Sequence, residues 1–383
     1  MTSDGFSQSE PDVAIIVPTI NEAENLPPLL ERVAAAMVGV KYEVIIVDDN
    51  SRDATPRVCA ELSGKYPVKL LVRTEPANGL SGAVLHGMAE ARGTFLCVMD
   101  ADLQHPPERL PALLEPLRAG EADFVLGSRY MPGGSTEAEW GVFRKFNSQM
   151  ATFLARPFAG KTTDPMAGFF ALRRESYASA TNLTPLGYKI ALELMCKCRV
   201  KRVREIPIHF GMREKGQSKL SLKQQFRYLE HLSRLYDFTY PRASPIVKFF
   251  IATVASWVVG LGVYLPLIRG GDGRVHAISI AYLPAIAVTA IFHIRYVRTQ
   301  REFLSRQTPW MDFVVISVAE WIVAMMAAWW IGRRVIEPGL WETFFASFGL
   351  ATLTRYVLRK EFLLDIRGLR KTLPREIETK TDR

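Results

Sequence analysis

From Ser244 onward the chain consists of apolar runs that are too long and too poor in charge for the surface of a soluble fold. Ile246–Ile268 is almost wholly apolar, and at helical rise it is long enough to cross roughly 30 Å of hydrocarbon. Further runs follow at about His276–Ile294, Met311–Ile331 and Leu340–Leu358, of which the second and fourth are shorter or more mixed. One such run alone would equally read as a buried core helix. Four in succession, with no soluble pattern between them, predict an all-α transmembrane domain over residues 244–360. Arg295, Arg298, Arg301 and Arg306 lie between the second and third runs, and Arg359, Lys360, Arg367, Arg370, Lys371 and Arg375 follow the fourth. Basic residues mark the cytosolic side, so four spans return the chain to the side on which it began, with a basic cytosolic tail at 361–383. Arg333 and Arg334 fall on the other side and oppose this orientation. Glu320 lies inside the third run, as either a functional acid or an interhelix hydrogen-bonding group.

The preceding half is patterned differently. Residues 1–11 are polar and acidic, without the basic segment and apolar core of a signal peptide, and read as a disordered tail. Short apolar runs then alternate with helical stretches. Strands are predicted at Val13–Val17, Glu43–Val47, Val68–Val72, Phe95–Met99 and Phe124–Leu126. Helices are predicted from Glu22 to about Met37 with Asn21 as cap, after Ser51 or Asp53 to about Ser63, from Asn78-Gly79 to about Ala91, and from Pro106-Pro107 to near Gly120. Such alternation predicts an α/β domain built on a doubly wound, mostly parallel sheet. There is no G-x-G-x-x-G after the first strand and no G-x-x-x-x-G-K-[ST], so dinucleotide and P-loop sites are not expected. Gly79 and Gly82 serve either an anion at a helix start or close packing. Cys59, Cys97, Cys196 and Cys198 show no zinc or redox spacing, which predicts reduced thiols. The net charge of +9 suits a membrane surface or an anionic substrate. No zinc-finger or RNA-binding signature appears, so nucleic acid is not an expected partner.

Ligands of open α/β sheets bind at the carboxyl ends of the strands. At those ends this sequence places Glu22, Asp48, Asp49, Asp100, Asp102 and Arg129. Asp100, Asp102 and Gln104 alternate at the end of the fourth strand. Oxygen ligands of this kind suit Mg²⁺ or Mn²⁺, which share their remaining positions with water and substrate phosphates. A bare Asp-x-Asp equally reads as a helix cap and a solvated acid.

Further along, Trp140–Phe158 mixes basic and apolar residues, and Arg144 and Ser148 share one helical face, which suits a lipid phosphate or an ordinary amphipathic surface. Gly168–Leu172 reads as a strand, and Gly187–Lys197 as a helix whose Glu193 faces either the active centre or solvent. Val203–Phe210 reads as another strand. Arg213–Lys219 is a basic, Gly-containing segment, either a loop closing over phosphates or a surface turn. In 220–243 apolar residues recur at helical spacing among Lys223, Arg227 and Arg234, giving an amphipathic helix that lies on anionic lipid or packs on the protein.

Five segments occur in order: Pro18-Thr19-Ile20-Asn21-Glu22, Val47-Asp48-Asp49-Asn50-Ser51, Asn78-Gly79-Leu80-Ser81-Gly82, Met99-Asp100-Ala101-Asp102-Leu103-Gln104 and Gly127-Ser128-Arg129-Tyr130. With Asp164–Phe170 and Arg213–Lys219, the set resembles the family 2 glycosyltransferases of GT-A fold, and within them the polyprenyl- or dolichyl-phosphate mannose synthases. The likeness covers roughly residues 12–240, with the GT-A domain itself at 12–219. It implies that Pro18, Ile20, Glu22, Val47 and Asp49 line the nucleotide pocket. Asp100, Ala101, Asp102 and Gln104 would hold the metal (Asp100, Asp102 and Gln104 as ligands) and the donor diphosphate. Arg129, Arg213 and Lys219 would contact donor phosphates or the sugar, with Asp102 completing the catalytic set. Arg144 and Ser148 would meet the acceptor phosphate. Ile20 stands where an aromatic residue is common in the family, which leaves backbone contacts at that position. The implied reaction is inverting, metal-dependent transfer of mannose from GDP-mannose to a polyprenyl phosphate at the cytosolic face of a multi-pass membrane protein. UDP-glucose is an alternative donor, since the pocket motifs do not separate guanine from uracil. A non-catalytic, flippase-like membrane protein is the alternative of another class. A processive polysaccharide synthase lacks support, because no Gln/Arg-x-x-Arg-Trp signature is present.

Overall fold

The computed structural model describes residues 10–136, 142–184, 186, 189–198, 200–211, 222–292, 309–334 and 339–364. The chain divides into two compact units, Met1–Leu235 and Tyr236–Arg383. In the first unit the order is β1 (Val13–Thr19), α1 (Leu26–Ala36), β2 (Tyr42–Asp48), α2 (Thr55–Leu62), β3 (Val68–Val72), α3 (Gly79–Glu90), β4 (Phe95–Val98), a 3₁₀ turn at Pro107–Arg109, α4 (Leu110–Arg118) and β5 (Phe124–Ser128). Next come β6 (Ser135–Thr136), α5 (Val142–Ala159), β7 (Phe170–Arg173), α6 (Arg174–Ala178), α7 (Ile190–Lys197), β8 (Val203–Pro207), β9 (His209–Phe210) and α8 (Leu222–Thr239), whose residues from Tyr236 onward fall in the second unit.

Seven strands form one sheet in the order β3-β2-β1-β4-β7-β5-β8. All pairs are parallel except those of β7, which runs antiparallel between β4 and β5. This is the mostly parallel sheet of a GT-A domain. Its central strands are covered on both faces, and continuous apolar runs are the sequence consequence. Ile16, Ile45, Val47, Leu96 and Val98 pack under α3, α5 and α7. Their alternates Ile15, Val17, Val44, Ile46, Cys97 and Met99 pack under α1, α2 and α4. The inner face of α8 joins the first layer through Leu232 and Leu235, while Phe226 and Leu229 are exposed.

One expected boundary is corrected. The first helix begins at Leu26 rather than Glu22, and Asn21 does not cap it. Asn21 adopts a left-handed φ of 57°, a conformation Asn tolerates. Its Oδ1 accepts from the Arg52 N–H at 2.9 Å, and its own N–H donates to Ser51 Oγ at 2.8 Å. The residue ties the loop after β1 to the loop after β2. The four cysteines are free thiols, and Cys59, Cys97 and Cys198 are buried.

The second unit contains α9 (Ser244–Arg269), α10 (Arg274–Phe292), α11 (Pro309–Arg334) and α12 (Leu340–Leu364). Among the described residues, three helices are long and apolar enough to cross a membrane: Ser244–Arg269, Arg274–Phe292 and Phe313–Arg333. The expected fourth span is a helix, α12, but its mixture of polar and charged residues keeps it out of that set. Within the unit, Gly260 of α9 allows close approach, since a Cβ there would meet the Phe348 ring of α12 at 2.4 Å. Glu320 is buried and paired: Arg355 Nη2 lies 2.7 Å from its Oε2, and the Tyr282 hydroxyl donates to the same oxygen at 3.2 Å. The interhelix reading of Glu320 therefore holds, with α10, α11 and α12 joined at one point.

Several expectations fall outside the described residues: the tail over residues 1–9, Arg213 and Lys219, the basic loop 295–306 and the terminal segment from 365. The backbone of α5 is described at Arg144 and Ser148, but their side chains are not.

Candidate functional site

The sheet brings the ends of β1, β2, β3, β4 and β5 to one edge. Because β7 is antiparallel, its beginning, not its end, meets that edge. Gly168 therefore lies against Asp100. A Cβ on Gly168 would come within 3.1 Å of Asp100 Oδ2 and 3.1 Å of His105 Cε1. A side chain there would need the carboxylate or the imidazole to give by a few tenths of an ångström.

The Asp100–Gln104 turn is held from several sides. The Asp100 N–H donates to His105 Nδ1 at 3.0 Å, and the His105 ring stacks on Phe169 with centroids 5.4 Å apart. Asp102 is buried, its Oδ1 accepting the Gln104 N–H at 3.3 Å. The Gln104 carboxamide donates to Gly211 O at 3.1 Å, where β9 leads toward the segment that carries Arg213. Leu103, between them, has φ 61°. For a residue with a full side chain this conformation costs roughly 1–2 kcal/mol, and such strain concentrates at functional turns. The Asp100 side chain keeps 32% of its surface exposed.

Arg129, directly after β5, lines the same cavity. Its Nε and Nη2 donate to the two oxygens of Asp164 at 2.7 and 3.0 Å, a bidentate pair. Asp164 is 1% exposed. Its own loop is fixed by Glu205, whose carboxylate accepts the N–H groups of Thr163 at 2.9 Å and Asp164 at 3.0 Å. The guanidinium lies over Phe210 at 5.0 Å. The cavity measures ≈ 140 Å³ and is walled by Asp100, His105, Arg129, Lys189 and apolar side chains including Leu80, Met166 and Phe210.

Lys189 was not singled out from the sequence. It precedes α7 and is partly enclosed. Burial first, then the Arg129 guanidinium, push its ammonium down to about 8, while Asp164 and Asp100 pull the other way.

Asp49 lies apart from this cavity, at the end of β2. Arg73 stands 2.9 Å from its Oδ1. The same guanidinium donates to Gly79 O at 3.2 Å and to Ala77 O, so it also shapes the turn before α3. Burial holds the Asp49 carboxyl above its ordinary range in spite of Arg73. Pro18 and Val47 lie on β1 and β2, with Val47 in the core. Ile20 is exposed and Ala101 buried. Glu22 accepts from the Asn25 side chain, and its N–H donates to Thr55 Oγ1 at 3.0 Å. The Asp49–Arg73 pair thus lies at the end of β2, on the same sheet edge as the cavity lined by Asp100 and Arg129.

Glu193 faces neither the active centre nor solvent. It is fully buried, accepting from Lys197 Nζ at 2.7 Å and the Thr184 N–H at 2.7 Å, with His231 Nε2 at 2.8 Å from its second oxygen. Burial alone would raise its carboxyl, but the bonds from His231 and Lys197 outweigh that and hold it below the ordinary range. The cluster fastens α8 to α7, the helix that begins beside the cavity.

The described residues contain no group of three His, Cys, Asp or Glu side chains able to hold a metal ion by themselves. Two carboxylates and a carboxamide on one strained turn, beside a cavity with room for an anion, instead fit a hard cation whose remaining ligands are substrate phosphates and water.

A model of the family described as "Glycosyl transferase family 2" matches residues 14–180. The dolichol-phosphate mannosyltransferase of Pyrococcus furiosus is 41% identical over 282 residues, covering 73% of this chain and 78% of its own. That of Mycosarcoma maydis is 39% identical over 277 residues, 70% of this chain and 93% of its own. The Saccharomyces cerevisiae protein of the same name is 40% identical over 240 residues, 60% and 88% respectively. Among solved structures, mannosyl-3-phosphoglycerate synthase from Rubrobacter xylanophilus matches with a TM-score of 0.48 and 19% identity, over 59% of this chain and 74% of its own.

Proposed function

The chain belongs to glycosyl transferase family 2, and we propose that it is a membrane-bound mannosyltransferase that moves mannose from GDP-mannose to dolichyl or another polyprenyl phosphate. The observation that carries this reading is the meeting of Asp100 and Arg129 in one cavity at the carboxyl edge of the sheet. An anionic acceptor supports it chemically. A phosphate monoester has a second pKa near about 6, so its oxygen is nucleophilic at neutral pH without a general base.

The acceptor phosphate oxygen attacks the anomeric carbon of the donor hexose. The new C–O bond forms as the bond to the diphosphate breaks, with inversion, and the electron pair leaves on the nucleoside diphosphate. No proton needs to move. Asp100, Asp102 and Gln104 would hold Mg²⁺ or Mn²⁺, whose chemistry there is charge neutralisation of the leaving diphosphate. Arg129, oriented by Asp164, faces the same developing charge. Pro18, Ile20, Glu22, Val47 and Asp49 would receive the nucleoside, with Arg73 setting the Asp49 carboxylate. Arg213 and Lys219 would close over the phosphates, and Arg144 and Ser148 would meet the lipid phosphate.

The apolar helices would anchor the enzyme as a multi-pass protein with its catalytic unit on the cytosolic side. The exposed Phe153 of α5 and Phe226 and Leu229 of α8 support contact of that unit with lipid. The test is a panel of labelled nucleotide sugars offered to membranes containing the protein and polyprenyl phosphate. GDP-mannose should give organic-extractable label that EDTA abolishes. Label from UDP-glucose alone would reassign the sugar, and no transfer from any donor would remove the transferase reading.

A further inference from the structure

We propose that Glu205 is a positioning residue of this transfer, its carboxylate ending a one-way chain of hydrogen bonds that aims Arg129 into the cavity. The inference rests on the transferase reading and deepens it. Glu205 lies on β8 opposite Leu126 of β5 and is not among the residues that wall the cavity. It acts through the loop at Thr163 and Asp164, which holds Arg129 twice. Asp164 accepts the Arg129 guanidinium at 2.7 and 3.0 Å and the Arg129 main-chain N–H at 3.4 Å. Glu205 in turn accepts the N–H groups of both loop residues, Thr163 at 2.9 Å and Asp164 at 3.0 Å.

The hydroxyls beside this loop give the support a direction. Ser128 Oγ accepts two N–H groups, from Tyr130 at 3.2 Å and from Met131 at 3.3 Å. A hydroxyl oxygen has two lone pairs, so the Ser128 proton goes to Thr163 Oγ1, 2.6 Å away. The Thr163 proton is then left for Glu205, whose two oxygens lie at 3.1 Å. A carboxylate only accepts, so it closes the chain in this sense. A carboxamide in its place would turn its NH₂ toward one of these donors, whichever way it was flipped. Ser128 is fully buried, whereas Thr163 is exposed. The carboxylate, not burial, therefore keeps the Thr163 hydroxyl from turning to water and leaving the buried Ser128 proton without an acceptor, which is costly. The main chain after β5 and the guanidinium of Arg129 thus both answer to Glu205. The chain beyond β8 also runs through β9 to Gly211, whose carbonyl accepts from Gln104 at 3.1 Å, so it steadies the turn after β4 as well.

The test uses the full-length protein in detergent with Glu205→Gln, Thr163→Val, which removes the hydroxyl at constant shape, and Thr163→Ser, which keeps it. Asp123→Asn is the comparator. Asp123 likewise accepts two consecutive N–H groups, of Lys201 at 3.1 Å and Arg202 at 3.0 Å, but at the other edge of the sheet, so its loss reports a loosened loop alone. Wild-type turnover of the nucleotide sugar is the control, and its absence would count against the transferase reading rather than against Glu205. With wild type active, Glu205→Gln and Thr163→Val are each expected to lower kcat by about 10-fold, the scale of a lost hydrogen bond to a charged group. The KM for the donor should change little, because a misaimed Arg129 is felt where charge develops. Thr163→Ser should recover most of the loss. Glu205→Gln with Thr163→Val should lose no more than the worse single variant, since both cut one chain. Asp123→Asn should lower the melting temperature and leave kcat as it is. Wild-type kcat in Thr163→Val, a Thr163→Ser variant no better than it, or a double variant whose losses multiply would overturn the proposal. So would a fall of kcat in Asp123→Asn equal to that in Glu205→Gln. If Glu205→Gln does not fold, the Thr163 pair decides: an active Ser variant beside an impaired Val variant supports the chain, and equal kinetics in the two overturn it.

Discussion

Asp100 and Asp102 leave the same strand end but meet different surroundings. Asp100 looks into the cavity, whereas Asp102 is buried and braces its own turn. Asp100→Asn and Asp102→Asn should each reduce metal-dependent transfer by about 10²-fold or more, the scale of losing one preorganised charge-stabilising group. Near-isosteric replacement should leave the melting temperature of the catalytic unit almost unchanged. Retained activity in both variants, scored with the extractable-product assay, would remove the metal assignment. Gly168→Ala tests the same turn from its other side. The added methyl must shift Asp100 or His105 by a few tenths of an ångström, and since misplacing a reacting group by about 1 Å costs up to roughly 10²-fold, a smaller loss of about 3- to 10-fold is expected. Turnover should therefore fall well before circular dichroism registers any unfolding. The acids and Arg129 were legible because each follows an apolar run, and a strand end is recognisable from one-dimensional pattern. Lys189, Asp164 and Arg73 were not, because their significance lies in partners distant in sequence. Asn21 shows a related limit. The same side chain that caps helices also tolerates left-handed backbone, and only the neighbouring loop after β2 decides between the two.

At the scale of elements, the joint between α7 and α8 has a pH signature. Glu193 is held below its ordinary value of 4.5. A depressed carboxylate contributes stability that is present above the unfolded-state value and is lost as pH falls through the folded one. Glu193→Gln should accordingly be less stable than wild type at pH 7 by about 3 kcal/mol, the lower end for breaking a buried ion pair. The difference should shrink as the medium is acidified below about pH 4.5. Chemical denaturation at several pH values checks this, and a pH-independent difference would contradict the ionised assignment. The helical spacing of Gly187–Lys197 was readable, but which face Glu193 occupies depends on α8 arriving with His231. The amphipathic pattern of α8 was readable too. Its division between Leu232 and Leu235 in the core and Phe226 and Leu229 outside was not, since both pairs are equally apolar.

For the whole molecule, the second unit depends on a polar contact placed among apolar helices. Glu320→Gln leaves the Arg355 guanidinium buried without its counter-charge, which costs about 3–5 kcal/mol in comparable sites. The double replacement Glu320→Leu with Arg355→Leu should recover much of that loss, because well-packed apolar residues often equal a buried ion pair. Thermal denaturation in detergent, following the tryptophan fluorescence of this unit, distinguishes the two outcomes. A double variant no more stable than the single one would assign the pair an indispensable role. The long apolar runs identified these helices at once. The weaker credentials of α12 as a span come from polar residues such as Arg355, whose tertiary partner the composition alone does not reveal.

The antiparallel insertion of β7 also sets an order of assembly. β4 and β5 follow one another in the chain but are not neighbours in the sheet. The partners of β5 are β7 and β8, both later in synthesis. Strands β3, β2, β1 and β4 can pair as soon as they leave the ribosome, whereas β5 must wait for a non-local closure that is entropically slow. Chains fold from the N-terminus at roughly 5–20 residues synthesised per second, so the emerging polypeptide passes through an interval in which Asp100 is displayed but Arg129 has no strand to hold it. The last strand to seal this gap lies shortly before the first apolar helix, so maturation of the enzyme and capture of its nascent chain by the membrane compete for the same few seconds.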